Sequence, residues 1–379
     1  MNYRTLGKRN PNQVSILGFG CMRLPTVKGN DGEIDELEAT NQIKYAIDKG
    51  LNYLDTAWIY HQGNSEGFLA KLMNGGYREK VYIADKLPSW LVKSREDMDK
   101  YLDLQMERLD VEYIDYYLLH ALNKGSWDNL VKHNVFDFIE KALSSGKIRN
   151  IGFSFHDTYE AFDEIINAYD WDFCQIQMNF YDEEYQAGLK GLELAGSKDI
   201  GVIIMEPLRG GNLALNVPDT VMDIYNSTNG GHSAAGWALR YLWNKEEVKL
   251  VLSGMNQFNH IDDNIKEASQ AWVNMLNEDE AEALKKVKNF YKSKIQVDCT
   301  ACKYCMPCPF GVNIPGNFSM FNNAFVFDNV EKFKDTYYRF IPEKNRADVC
   351  KDCGVCVSKC PQHIDIPREL EKVNKLFAK

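Results

Sequence analysis

Eight of the ten cysteines in this 379-residue chain fall in two short runs near its C-terminus. Cys299, Cys302, Cys305 and Cys308 precede Pro309, and Cys350, Cys353, Cys356 and Cys360 precede Pro361. The second run has the C-x2-C-x2-C-x3-C-P spacing, in which three thiolates hold one four-iron cluster and the fourth crosses to another. Crossing assigns Cys299, Cys302, Cys305 and Cys360 to one cluster and Cys350, Cys353, Cys356 and Cys308 to the other. The first run is one residue shorter between its third and fourth cysteines, so the spacing rule places Cys308 less firmly than the rest. Zinc sites instead pair two C-x2-C units across a longer loop. Disulfides suit exported chains, and no charged start, apolar run and small-residue cleavage site opens this one. Two [4Fe-4S] clusters are therefore expected. Cys21 and Cys174 lie apart in apolar, strand-like segments and read as small buried residues.

A second set of reactive side chains lies upstream: Asp55, Tyr60, Lys86 and His120. Singly they have ordinary readings as a loop cap, a solvated charge and a buried histidine. Together they make a general-acid site. An ammonium beside a tyrosine hydroxyl is expected to lower its pKa, and an aspartate keeps that lysine charged and oriented. A neutral imidazole then holds a carbonyl oxygen, matching the oxyanion that forms when hydride arrives.

These four residues need a scaffold that brings separate strand ends together. Short apolar runs at 14–20, 52–57, 81–85, 113–120, 148–154, 173–179, 201–206 and 249–253 alternate with amphipathic segments, the beat of βα units. Asp35 caps a helix stopped by Gly50, Ser94 and Asp97 form a capping box, and 233–243 and 261–271 supply the last two helices. Eight such units predict an α/β fold, a (β/α)8 TIM barrel with its site at the C-terminal strand ends. No G-x-G-x-x-G follows the first strand, which speaks against a Rossmann sheet. The barrel is expected over 1–297, followed by a small, mainly α, ferredoxin-like iron–sulfur domain over 298–379. There CPFGVNIP (308–315) and CPQHIDIP (360–367) repeat one pattern, so each cysteine loop leads into the same turn and helix start. Phe318, Phe321, Phe325, Phe327, Phe333, Tyr337 and Tyr338 read as helix packing rather than an electron path.

Composition bounds the rest. A chain 45% hydrophobic can bury a large core. A net charge of −10 argues against nucleic acid and anionic membranes as partners. With no apolar stretch long enough to span a bilayer, the chain reads as soluble and cytoplasmic.

The strings LDTAWIY (54–60), DKLP (85–88) and LLHAL (118–122) resemble the catalytic contexts of the aldo-keto reductase family. IGFSF (151–155), QIQMNF (175–180), PLRGG (207–211) and LSGMNQFNHIDDNIKEA (252–268) fall where that family's cofactor segments fall. The likeness covers residues 1 to about 270, and the whole chain is similar to the subgroup carrying a ferredoxin-type C-terminal extension. The resemblance implies that Asp55, Tyr60, Lys86 and His120 are a catalytic tetrad with Tyr60 as proton donor. It implies that Ser154 and Gln177 hold the nicotinamide carboxamide. Pro207, Leu208, Gly210 and Gly211 would line the pyrophosphate, Ser253 lies in the last cofactor segment, and Asp263 and Asn264 match adenine-contacting positions. Trp58, Tyr60, Trp90 and Phe180 would wall an apolar pocket. Members often carry Asn where this chain has Phe155, and many stack an aromatic on nicotinamide where it has Met205. The 2′-phosphate grip is replaced by Gly254, Met255 and His260. A phosphate dianion without a cationic partner is poorly held, so NAD(H) is expected to bind at least as well as NADP(H).

The two halves exchange electrons in different parcels. Hydride carries two, whereas a cluster passes one at a time, so coupling demands an intermediary such as flavin; otherwise the halves do not share electrons. The expected function is reversible reduction of a small aldehyde or ketone, with clusters that serve a redox partner protein or hold the extension together. The alternative is an electron-transfer or redox-sensing protein whose barrel binds a nucleotide without turnover.

Overall fold

The computed structural model describes residues 1–228 and 230–378. The chain opens with an antiparallel hairpin, β1 (Tyr3–Leu6) and β2 (Asn12–Ser15). Eight further strands follow: β3 (Leu17–Gly20), β4 (Tyr53–Asp55), β5 (Tyr82–Leu87), β6 (Ile114–Leu122), β7 (Ile148–Phe155), β8 (Phe173–Gln177), β9 (Gly201–Met205) and β10 (Val248–Ser253). They pair in parallel in sequence order, and β10 returns to β3 to close the barrel. These strands read as near-continuous apolar runs because closure buries both of their faces.

The helices are α1 (Glu36–Asp48), α2 (Ser65–Leu72), α3 (Arg95–Leu109), α4 (Lys124–Lys132), α5 (Val135–Ser144), α6 (Tyr159–Asn167), α7 (Gly188–Ser197), α8 (Asp219–Asn226), α9 (Ala234–Trp243), α10 (Phe258–Ser269), α11 (Glu278–Ser293), α12 (Ile314–Val326), α13 (Val330–Phe340) and α14 (Ile366–Phe377). Asp35 accepts from Glu38 N to start α1. Ser94 and Asp97 make a reciprocal capping box on α3. Both follow the sequence expectation, since an N-cap oxygen satisfies amides the helix itself cannot.

One expected strand is two. The run 14–20 breaks at Ile16: Ser15 Oγ donates to Leu17 O at 2.7 Å, and Asn52 Oδ1 takes the Ser15 amide at 2.7 Å. Residues before the break pair with β1, and those after it enter the barrel. The hairpin stoppers the barrel's N-terminal end. Leu6 and Val14, both fully buried, pack with Tyr53, Tyr116 and Phe173 inside it, and Tyr116 OH donates to Leu6 O at 3.1 Å.

The chain divides into two compact units, Met1–Leu215 with Gly231–Glu278, and Asn216–Gly230 with Asp279–Lys379. The second is helical. Its core holds Phe318, Phe321, Phe327, Phe333 and Tyr337, with Phe327 stacked on Phe333 and Tyr337 tilted against Phe377. The repeated octapeptides both end at a helix start: α12 and α14 each open with Ile-Pro, the proline where its missing N–H costs nothing. Among the described residues no helix is long and apolar enough to cross a membrane.

Candidate active site

The four polar residues converge at the C-terminal strand ends. Asp55 closes β4 and Lys86 sits near the end of β5, 2% and 0% exposed. Lys86 Nζ donates to Asp55 Oδ1 at 2.7 Å and to Thr56 O at 2.6 Å, and approaches Tyr60 OH at 3.4 Å. Tyr60 comes from the turn beyond β4. His120, 9% exposed, meets the Tyr60 ring edge to face with centroids 6.3 Å apart. A bulge presents it: the β6–β7 register slips between Leu119 and Leu122, and Ala121 has φ 51°. Such bulges re-aim side chains at active sites. The Ala121 amide donates to Ser154 Oγ at 2.7 Å, pinning this one.

Burial and charge set the protonation states. Burial works against the Lys86 ammonium, but Asp55 and then Tyr60 outweigh it and raise its pKa. Burial, reinforced by Lys86 and His156, holds His120 well below the usual histidine range, so its ring is neutral. For Tyr60 the expectation of a lowered pKa is corrected. Burial outweighs the pull of Lys86 and pushes the phenol up to about 12, because removing the anion from water costs more than one shared ammonium returns.

The expected cofactor residues ring the same end of the barrel. Ser154 lies near the end of β7, Gln177 ends β8, Met205 ends β9 opposite Gln177, and Ser253 ends β10. Pro207, Leu208, Gly210 and Gly211 form the turn after β9, where Gly210 and Gly211 have φ 64° and 87°. A Cβ on Gly210 would meet nothing nearer than the Arg23 guanidinium at 3.7 Å, an open cradle for a ligand. Gly254 is exposed. Asp263 and Asn264 lie on α10 and are engaged internally: Ser233 Oγ donates to Asp263 at 2.5 Å, and Asn264 Nδ2 to Ser253 Oγ at 3.1 Å. Phe180 is packed away against Tyr241, so of the expected aromatic wall Trp58, Tyr60 and Trp90 remain partly open.

The cysteines sort across the two runs. Cys299, Cys302, Cys305 and Cys360 line one opening with Ile314 and Phe318. Burial and then the thiols of Cys299, Cys302 and Cys360 push the Cys305 thiol up. Burial, with Cys350, Cys308 and Cys353 beside it, pushes Cys356 up to about 11. The neighbours of Cys305 and Cys356 are thus the crossed sets. Among the described residues no three His, Cys, Asp or Glu side chains meet as a single chelated ion requires. The thiols of the first set ring an opening floored by apolar side chains, which fits a cubane held by four sulfurs.

The sequence profile of the Aldo/keto reductase family matches residues 16–289. The chain belongs to the aldo-keto reductase family. A 4Fe-4S dicluster domain profile matches 298–364. A probable aldo-keto reductase of Glycine max is 34% identical over 150 residues, 38% of this chain and 42% of that one. The chain thus spans less than half of that relative's length. L-galactose dehydrogenase of Arabidopsis thaliana is 25% identical over 272 residues, 67% of this chain and 84% of the relative. The aldo-keto reductase fold also recurs in a Bacillus halodurans member in holo form (TM-score 0.62, 24% identity, 76% of this chain and 96% of that one). A Klebsiella pneumoniae member in complex with NADPH gives TM-score 0.62 at 21% identity, with the same coverages.

Three residues around this aldo-keto reductase barrel were not singled out from sequence. Arg23, just past β3, lies against Gly210 and Gly254 and bonds Glu206 at 3.4 Å; the cation in CMRLP was the available signal. His156, just past β7, has its pKa lowered by desolvation against the opposing pull of Gln186 and Glu206. Arg108 stacks on Trp58 at 3.6 Å and bonds the buried Glu66 at 2.8 Å, a pairing that spacing cannot reveal.

Proposed function

We propose that this chain is an oxidoreductase that reduces an aldehyde or ketone, and in reverse oxidises the alcohol, by hydride exchange with a nicotinamide dinucleotide. The observation that carries this reading is Lys86 Nζ placed between Asp55 Oδ1 and Tyr60 OH. Tyr60 donates its proton to the substrate oxygen as negative charge develops there, and Lys86 stabilises the phenolate left behind. Asp55 holds the ammonium in place. Neutral His120 offers a ring N–H to the same oxygen. The nicotinamide ring supplies the hydride when bound. Ser154, Gln177 and Met205 would face that ring, with Pro207, Leu208, Gly210, Gly211 and Arg23 along the diphosphate. Ser253, Gly254, Asp263 and Asn264 lie towards the adenosine. Gly254, Met255 and His260 bring no fixed cation to a 2′-phosphate, which supports NADH as the partner at least as strongly as NADPH.

Trp90, 46% exposed and 5.2 Å from His120, supports a small or aromatic carbonyl over a phosphorylated sugar. Two [4Fe-4S] clusters would be held by the crossed cysteine sets, in a reducing compartment such as the cytoplasm. They serve a redox partner protein or brace the helical unit. Flavin in the barrel mouth would be the intermediary if the two units share electrons. Anaerobic purification, extraction of every bound cofactor and turnover with NADH and a carbonyl panel test the reading. Absence of carbonyl turnover with nucleotide still bound would favour the electron-transfer or redox-sensing alternative.

A further inference from the structure

Tyr60 is followed by an unusual stretch of backbone. His61, Gln62 and Gly63 have φ 52°, 57° and 91°, three successive left-handed residues, two of them not glycine. Each such non-glycine conformation costs free energy and persists only where its surroundings fix it. What fixes this one is the His61 ring, 2% exposed. The Leu24 amide donates to His61 Nε2 at 3.2 Å, and His61 Nδ1 lies 2.8 Å from Asp31 O. With Nε2 accepting and Nδ1 donating, one ring satisfies both bonds.

Both partners belong to a strap spanning 24–34. It is closed on itself by the Thr26–Ile34 bridge, by Val27 N to Glu33 O at 2.9 Å and by Asp35 N to Pro25 O at 2.8 Å. The same turn grips the strap twice more. Asn64 Nδ2 donates to Gly32 O at 2.8 Å, and Gln62 packs so closely on Gly32 that a Cβ there would stand 2.8 Å from it. Leu24 is the chain neighbour of Arg23, which lies against the glycines at the mouth.

We infer that His61 is a positioning residue: its imidazole latches the strap to the left-handed turn and thereby holds Tyr60 OH at Lys86. This rests on the reading of Tyr60 as proton donor. The choice of residue type follows. Histidine and asparagine tolerate left-handed φ better than most side chains, and few others present one donor and one acceptor in opposite directions. An aliphatic side chain would leave the Leu24 amide and the Asp31 carbonyl unpaired.

The test uses the full chain with its clusters, in four variants. His61→Leu should cut kcat by about 100-fold, the scale of a misplacement near 1 Å, with KM for the carbonyl nearly unchanged and a larger solvent deuterium isotope effect. His61→Gly relieves the left-handed φ but removes both bonds, and should fall as far. His61→Asn keeps a donor and an acceptor and should recover most of the loss. Hydrogen exchange at the Leu24 amide reads the latch without turnover, and should accelerate in the Leu and Gly variants alone. Unchanged Leu24 exchange in both would overturn the latch. Accelerated exchange with kcat unaltered would overturn the positioning role. Tyr60→Phe runs alongside: full activity there sinks the proton-donor reading and with it the positioning role, while Leu24 exchange still judges the latch.

Discussion

The barrel and the helical unit hold their reactive groups by opposite means. Asp55 and Lys86 stand within the parallel ladders of the barrel and His120 on a bulge of β6 pinned by Ser154, and each is at most 9% exposed. The cysteines stand on loops without ladders: 297–313 holds no strand or helix, and 350–365 none either. Cys302 and Cys353 are exposed. A site built on rigid elements is arranged before its ligand arrives, whereas a site built on loops is arranged with its ligand, so that binding energy becomes folding energy. One unit therefore carries its geometry in hydrogen bonds, and the other would carry it in iron–sulfur bonds.

Four experiments can break or sharpen that contrast. The largest effect is expected at the preformed site: Tyr60→Phe should cut carbonyl reduction by roughly 10²–10⁴-fold while NADH binding stays near wild type; full activity would overturn the assignment. Next is the loop-built site. Wild type should hold about eight irons per chain, and chelation should make Asp279–Lys379 protease-sensitive while the barrel still binds NADH. Cys360→Ala should then match Cys302→Ala, not Cys353→Ala, in the electron paramagnetic resonance of the reduced protein. A match to Cys353→Ala would mean each run binds its own cluster. Third, titration should find NADH bound at least as tightly as NADPH, and a strong NADPH preference would count against an ungripped 2′-phosphate. The smallest effect is in stability. His120 has its pKa depressed from 6.5, so the unfolded chain binds the proton more readily and stability falls as pH drops below about 6.5. Relative to His120→Gln, wild type should lose up to about 1.4 kcal/mol per pH unit there by denaturant titration; parallel curves would refute a buried neutral imidazole.

The sequence disclosed most where period and chemistry coincide. Eight strands were visible because barrel closure makes each one apolar throughout, and caps such as Asp35 and Ser94 announced their helices. The convergence of Asp55, Tyr60, Lys86 and His120 was legible because strand ends on one rim must meet. The Tyr60 pKa was misread because burial is a property of the folded neighbourhood, not of the residues Tyr60 pairs with. The β1–β2 hairpin escaped notice because four-residue strands such as YRTL and NQVS give no period to count. Arg23, His61 and Arg108 are hydrogen-bonded to partners 183, 37 and 42 residues away, and no local signal carries such distances.

The stoppered end of the barrel has one more consequence. Among the described residues, Leu6 and Val14 fill the base among Tyr53, Tyr116 and Phe173, so whatever the barrel admits would use the rim. Dinucleotide and carbonyl would then share that one entrance, and a guest lying across it would slow the exchange of the other.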